Sequence, residues 1–140
     1  MIDALWLALR AGGFVFTVQA AGTGLFLVLF ARELDVGSDA LIRRVGAHAA
    51  IGALGIVIAQ ALFEPLYLAG AWDGLRDPAL RTLAYFSPAA IVPALRLAGL
   101  GALVLALRRA SSALDGFVLP AALLALGSFL ATGHALLDPR

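Results

Sequence analysis

The side chains that could do chemistry are few, and most of them lie inside long apolar runs. The chain has two histidines, His48 and His134, and no cysteine. The other polar residues that stand out within the apolar runs are Arg10, Gln19, Gln60, Glu64, Arg96 and Asp115. Imidazole and carboxylate groups ligate transition metals such as copper or zinc. His134 and Glu64 are therefore candidate metal ligands, and Gln60 lies one helical turn from Glu64.

The same residues also allow a purely structural interpretation. A charged side chain in the middle of a bilayer costs at least about 2.5–3.5 kcal/mol, so it needs a partner or a water-filled cavity. Glu64 could pair with Arg96 or Arg10, and such a pair would orient the helices. His48 is then a packed or snorkelling residue. If both helices span a membrane, the two histidines lie roughly 25–30 Å apart, so one haem iron could not take both, and haem is not expected.

The elements that position these residues are predicted to be membrane-spanning helices. Hydrophobic residues make up 62% of the 140 residues and charged residues 14%, and the mean hydropathy is +0.98. A soluble domain has a much lower apolar share. Four runs, near 4–30, 45–68, 89–107 and 114–137, are long enough to cross roughly 30 Å of hydrocarbon at about 1.5 Å per residue. The sequence therefore predicts an all-α, polytopic integral membrane protein, with a single four-helix domain over 1–140.

Local signals predict where two of the helices begin. Ser38 and Asp39 have the side chains of an N-cap, which places the start of the second helix several residues before its apolar part. In the middle loop, Asp77 followed by Pro78 predicts the start of a short helix over about 78–86. Leu80 and Leu83 share one side of it, which is typical of a helix lying in the membrane interface.

The distribution of arginines predicts the orientation of the helices. The first and third loops carry five arginines and the opposite side carries three. Positive residues are retained on the cytoplasmic side, so both termini are expected outside the membrane, on the periplasmic side of a bacterial inner membrane. In this topology four different helices bring Arg10, Glu64, Arg96 and His134 to the outer half of the bilayer. The aromatic residues predicted at the outer interface are Trp6, Tyr67, Trp72 and Tyr85.

Several classes of function are disfavoured by the composition. The formal net charge is +1, too small for a nucleic-acid-binding surface. Without cysteine there is no thiol catalysis and no thiolate metal site. No serine has a histidine at helical spacing, and no pair of acidic residues lies at mid-membrane, so no enzyme is predicted.

Two stretches resemble the copper resistance protein D family of bacterial inner-membrane proteins. "TGHALLDP" is similar to the turn that ends a helix in that family, and "LRAGGFVFTVQAAGTGLFLVLF" is similar to the family's first helix. The resemblance covers the amino-terminal half of a typical member, and Thr132, Gly133 and His134 match residue by residue. It implies a helical membrane protein that takes part in copper uptake, often beside a periplasmic copper chaperone. Members usually continue into a further bundle that contains another histidine.

The sequence thus predicts a copper-handling inner-membrane protein, with the lipid bilayer and a periplasmic copper chaperone as partners. Copper is the expected ion, with His134 as the first ligand and Glu64 as the second. Two alternatives stay open. One is a non-catalytic accessory or structural subunit of a larger membrane complex, and the other is a haem- or quinone-binding electron-transfer subunit.

Overall fold

The computed structural model describes residues 2–30, 32–109 and 112–135, and it describes the side chains of these residues except at positions 89, 112–115 and 131–135. All the regular secondary structure in this part of the chain is helical, and it contains no strand. The five α-helices are α1 (Ile2–Phe30), α2 (Val36–Ala69), α3 (Pro78–Phe86), α4 (Ile91–Arg108) and α5 (Ser112–Ala135). Two short 3₁₀ turns, Trp72–Leu75 and Pro88–Ala90, lie on either side of α3.

Three of these helices, α1, α2 and α4, are long and apolar enough to cross a membrane, and α5 contains a shorter apolar stretch over Gly116–Leu130. Only 33% of the apolar window of α1 and of α2, and 28% of that of α4, is buried inside the protein. Large apolar side chains therefore face outwards, such as Leu7 at 68% exposure and Leu130 at 74%. So much outward apolar surface is compatible with a protein embedded in lipid.

The start of α2 differs from the prediction. Its N-cap is Asp35, not Ser38 or Asp39: the Asp35 carboxylate accepts hydrogen bonds from the backbone N–H groups of Gly37 and Ser38. The Ser38 hydroxyl donates to the other Asp35 oxygen at 2.6 Å, and Asp39 already lies in the first helical turn. The hydrogen bond from the Ser38 hydroxyl, helped by that from the Ser38 N–H, lowers the pKa of Asp35 below its ordinary value. The carboxylate thus stays ionised at the positive end of α2.

The start of α3 confirms the prediction for this segment. Asp77 is the N-cap, its carboxylate accepts hydrogen bonds from the N–H groups of Ala79 and Leu80, and Pro78 occupies the first helical position. The chain reaches this point because α2 ends at Gly70, whose φ of 66° lies in the left-handed region that glycine adopts without strain. The long helix therefore stops there, and the connection turns back towards α4.

The four long helices pack side by side in chain order. α1 contacts α2 and α5, and α4 contacts the same two helices, so that α1 and α4 lie diagonally across the bundle. The core consists mainly of alanines with a few leucines, and the members with 0% exposure include Ala20, Ala50, Ala53, Leu100, Leu103 and Ala122. Small residues allow close approach of helix backbones, which is how helices in lipid gain contact area.

The two ends of the bundle are distinguished by their side chains. At one end, here called the Trp6 end, the rings of Trp6 and Tyr67 stack with their centroids 4.6 Å apart and their planes 10° from parallel. α1 and α4 begin at this end, and α2 and α5 finish there. At the opposite end, here called the Asp35 end, α1 leads into α2 through residues 32–35.

Candidate functional site at the Trp6 end

Gln60 joins α2 to α1 near the Trp6 end. Its side-chain Nε2 donates a hydrogen bond of 2.7 Å to the backbone carbonyl oxygen of Leu9. The Gln60 side chain is half-buried. It lies against Gly13, which has no side chain to keep the amide away from the α1 backbone. The amide therefore forms an interhelical hydrogen bond. Such bonds stabilise membrane bundles by about 0.6 kcal/mol on average.

Arg96 joins α4 to α5 at the same end. Its Nε donates a hydrogen bond of 2.9 Å to the Ser128 hydroxyl oxygen, and that hydroxyl donates in turn to the Ala125 carbonyl oxygen at 2.7 Å. The guanidinium carbon lies 3.8 Å from the centre of the Phe129 ring. A planar cation over an aromatic face, with a hydrogen bond at its edge, is a well-fixed arrangement for arginine in an apolar setting.

Arg10 lies near this cluster but towards its surface. The Phe129 ring that lies under the Arg96 guanidinium packs edge to face against Phe14, with the ring centroids 5.3 Å apart. Phe14 lies one helical turn from Arg10 on α1. Arg10 is exposed, yet it is close enough to Arg96 for the two positive charges to interact. The structure thus brings Arg10 and Arg96, two of the residues singled out in the sequence, to one end of the bundle with like charges.

Glu64 lies one turn beyond Gln60 on α2 and is half-buried. The ion pair of Glu64 with Arg96 or Arg10 is not present within the described part of the chain, where the one ion pair joins Arg43 to Asp39. For Arg96 the reason is the direction of its side chain, which is held against α5 by Ser128 and Phe129. No hydrogen bond of the Glu64 carboxylate is found among the described residues either.

His134, the first predicted ligand, lies in the last turn of α5, together with Thr132 and Gly133. The side chains of Thr132 and His134 are outside the described part of the structure, so the predicted contact between His134 and Glu64 stays a prediction. The backbone places position 134 about 7.5 Å along the helix axis from Phe129, at the Trp6 end. Glu64 belongs to the same end, because Tyr67 on the same helix stacks on Trp6.

His48 lies at the Asp35 end, the opposite end from position 134. Its ring is exposed, and its Nδ1 is 2.8 Å from the carbonyl oxygen of Arg44. Because a carbonyl oxygen only accepts, this contact makes Nδ1 the donor and leaves Nε2 available. Among the residues whose side chains are described, no group of three or more histidines, aspartates or glutamates could hold a metal ion.

The partners of Arg96 were not predicted from the sequence. Ser128 is almost fully buried at 2% exposure, and with Phe129 it forms the surface that receives the guanidinium. A signal was present, since a serine followed by an aromatic residue interrupts the apolar run of α5. Buried hydroxyls in such helices usually bond to their own backbone or across to another helix, and Ser128 does both.

The chain was compared with models of known protein families, with curated proteins and with solved structures, and no match was found in any of the three comparisons.

Proposed function

We propose that the chain crosses a bacterial inner membrane four times, with the Trp6 end on the periplasmic side. The support is the length of the helices: α5, with 24 residues, measures about 36 Å and so exceeds the roughly 30 Å of bilayer hydrocarbon. The arginine distribution supports the orientation. So do the stacked rings of Trp6 and Tyr67, which suit a membrane–water interface. In this arrangement α3 lies along the outer surface.

We propose further that the protein handles copper ions as cargo at the Trp6 end. The observation that carries this proposal is Glu64, a half-buried carboxylate without a hydrogen bond or ion pair among the described residues. A carboxylate in an apolar chain that forms no ion pair is costly to keep ionised, and a bound metal ion would supply the missing positive charge. α5 brings His134 to the same end of the bundle.

The chemistry of these two groups fits a divalent copper ion. Imidazole nitrogen and carboxylate oxygen are both suitable ligands, and Cu²⁺ forms the strongest complexes with such groups among the divalent first-row metals. Two protein ligands leave coordination positions open, which suits an ion that is accepted and passed on. A periplasmic copper chaperone could fill the open positions during transfer, because the Trp6 end faces the periplasm in the proposed topology.

Copper binding by single variants tests this proposal. After incubation with Cu²⁺ and removal of excess metal, His134→Ala and Glu64→Gln should each weaken copper binding by roughly tenfold or more, since each removes a ligand. Metal analysis and isothermal titration calorimetry of the purified protein measure the effect. The matched controls are His48→Ala and Glu33→Gln, which remove the same groups at the Asp35 end and should bind copper as the unaltered protein does. Unchanged binding in both ligand variants would contradict the proposal.

A specific observation favours a second candidate, a non-catalytic accessory subunit of a larger membrane complex. Gln60 donates a hydrogen bond to Leu9, and Arg96 donates one to Ser128. Both hydrogen bonds hold neighbouring helices together. Polar residues in membrane helices often have this role. Purification of the protein in a large complex without metal would support this candidate over copper handling. A haem absorption band in the purified protein would instead support the electron-transfer alternative.

A further inference from the structure

A basic pocket lies at the Asp35 end, far from the proposed copper ligands. It has a volume of about 490 Å³ and opens between α2 and α4. Its polar lining consists of Arg43, Arg44 and His48 from α2 and Arg108 from α4, and its apolar lining includes Ala47 and Leu107. No acidic residue is among the lining residues whose side chains are described, although Asp39 lies one turn from Arg43. The pocket therefore presents several cationic or hydrogen-bonding groups from two different helices.

The charges of this pocket are only partly compensated. Arg43 forms an ion pair with Asp39 through its Nε at 2.8 Å. Arg44 and Arg108 are exposed, and neither guanidinium makes a hydrogen bond or ion pair with the rest of the described chain. The His48 ring is fixed by its Nδ1 contact with the Arg44 carbonyl oxygen, which leaves Nε2 for another partner. Two guanidinium groups and one imidazole nitrogen are thus available to a ligand.

Such a set of groups matches a phosphate. Guanidinium binds phosphate oxygens through two parallel hydrogen bonds, and two guanidinium groups on different helices can hold one phosphate from two sides. Outward-facing aliphatic side chains also lie next to the lining residues in the sequence: Val45 on α2 follows Arg44 and is 44% exposed, and Leu105 on α4 lies one turn before Arg108 and is 54% exposed. A ligand that combines a phosphate with hydrocarbon chains can contact both the basic lining and the aliphatic side chains. A free phosphate can contact only the basic lining.

We propose that the pocket between α2 and α4 binds the phosphate headgroup of an anionic phospholipid, with its acyl chains along Val45 and Leu105. The proposal rests on the membrane topology proposed above, in which the Asp35 end faces the cytoplasm, and it is independent of copper. Basic pockets between membrane helices on the cytoplasmic side are suitable sites for anionic headgroups. The bound lipid stabilises the contact between α2 and α4 by neutralising Arg44 and Arg108 together.

Lipid binding to the purified full chain in an uncharged detergent tests the proposal. The probes are a short-chain phosphatidylglycerol, the matching phosphatidylcholine and inorganic phosphate. We expect saturable binding of phosphatidylglycerol, and a loss of affinity of roughly tenfold or more in the double variant Arg44→Gln/Arg108→Gln. The double variant Arg32→Gln/Arg109→Gln is the matched control. It removes two exposed arginines at the same end of the bundle, Arg32 before α2 and Arg109 after α4, and neither of them lines the pocket.

The outcomes of this experiment distinguish a bound lipid headgroup from diffuse attraction of charges and from a free phosphate. The site is supported if only the Arg44→Gln/Arg108→Gln variant loses phosphatidylglycerol binding. In that case the thermal unfolding midpoint measured without lipid should be unchanged in both double variants. Equal weakening in both double variants overturns it, because the attraction would then be diffuse. Inorganic phosphate that displaces the lipid at equal concentration also overturns it, since the pocket would then be a free-phosphate site. Copper binding measured on the same variants distinguishes failure of this proposal from failure of the copper proposal.

Discussion

Replacing Gly99 with alanine is expected to lower the free energy of unfolding by about 1–3 kcal/mol, the usual cost of forcing an extra carbon atom into a well-packed core. Gly99 lies where α4 crosses α5. A Cβ atom built on Gly99 would be 2.7 Å from the backbone nitrogen of Ala125 and 3.0 Å from the carbonyl oxygen of Ala121. These are backbone atoms of a helix, so they cannot rotate away as a side chain could. The two helices would have to separate.

Gly101→Ala is the matched control, because a Cβ at Gly101 on the same helix meets nothing within 4 Å. Alanine favours the helix over glycine by up to about 1 kcal/mol, so this variant should be as stable as the unaltered protein or more so. Unfolding by a denaturing detergent, followed by circular dichroism, measures both. Equal stability of the Gly99→Ala and unaltered proteins would contradict the close packing of α4 on α5.

Replacing Arg96 with alanine is expected to lower the free energy of unfolding by about 2 kcal/mol. A hydrogen bond to a charged group contributes about 1.5–3 kcal/mol, and a cation over an aromatic ring about 0.5–2 kcal/mol. Removal of the charge from an apolar setting offsets part of this loss. Arg96→Lys keeps the charge but loses the planar group, so it should recover only part of the stability. Arg76→Ala, at an exposed position, should change stability by less than about 0.5 kcal/mol.

A double-mutant cycle with Ser128→Ala isolates the contact itself. If the Nε–Oγ hydrogen bond joins α4 to α5, the effects of Arg96→Ala and Ser128→Ala should deviate from additivity by roughly 0.5–1.5 kcal/mol. The same unfolding measurement provides the values. Additive effects would show that Arg96 and Ser128 stabilise the bundle independently, against the arrangement in the structure.

The helices themselves could be predicted from the sequence where local signals were unambiguous. The apolar run that ends at Phe30 and the Asp77–Pro78 start of α3 are both found in the structure. The start of α2 was misplaced because Asp35, Ser38 and Asp39 all have side chains that cap helices, and the choice depends on the geometry of the turn. Only the structure shows that the Ser38 hydroxyl donates a hydrogen bond to Asp35, so that Asp35 and not Ser38 is the N-cap.

The side-chain pairings within the site could not be predicted, because the sequence does not determine how each helix is rotated about its own axis. Depth along a helix follows from residue number, so the sequence placed Glu64 and Arg96 at similar depth. The direction of a side chain follows from amphipathicity, and a helix that faces lipid on one side and an alanine-rich core on the other has little contrast between its faces. Arg96 therefore could be assigned to an end of the bundle but not to its partners on α5.

Cysteine labelling can show whether the chain forms a four-span bundle with the Trp6 end outside. Since the chain has no cysteine, single cysteines can replace Asp3, Glu33, Asp73, Arg109 and Asp138, and a membrane-impermeant maleimide can be applied to intact cells. We expect labelling at 3, 73 and 138, and protection at 33 and 109 until the membrane is opened. The reverse pattern would contradict the orientation, and labelling at 109 and 138 on the same side would contradict the fourth span.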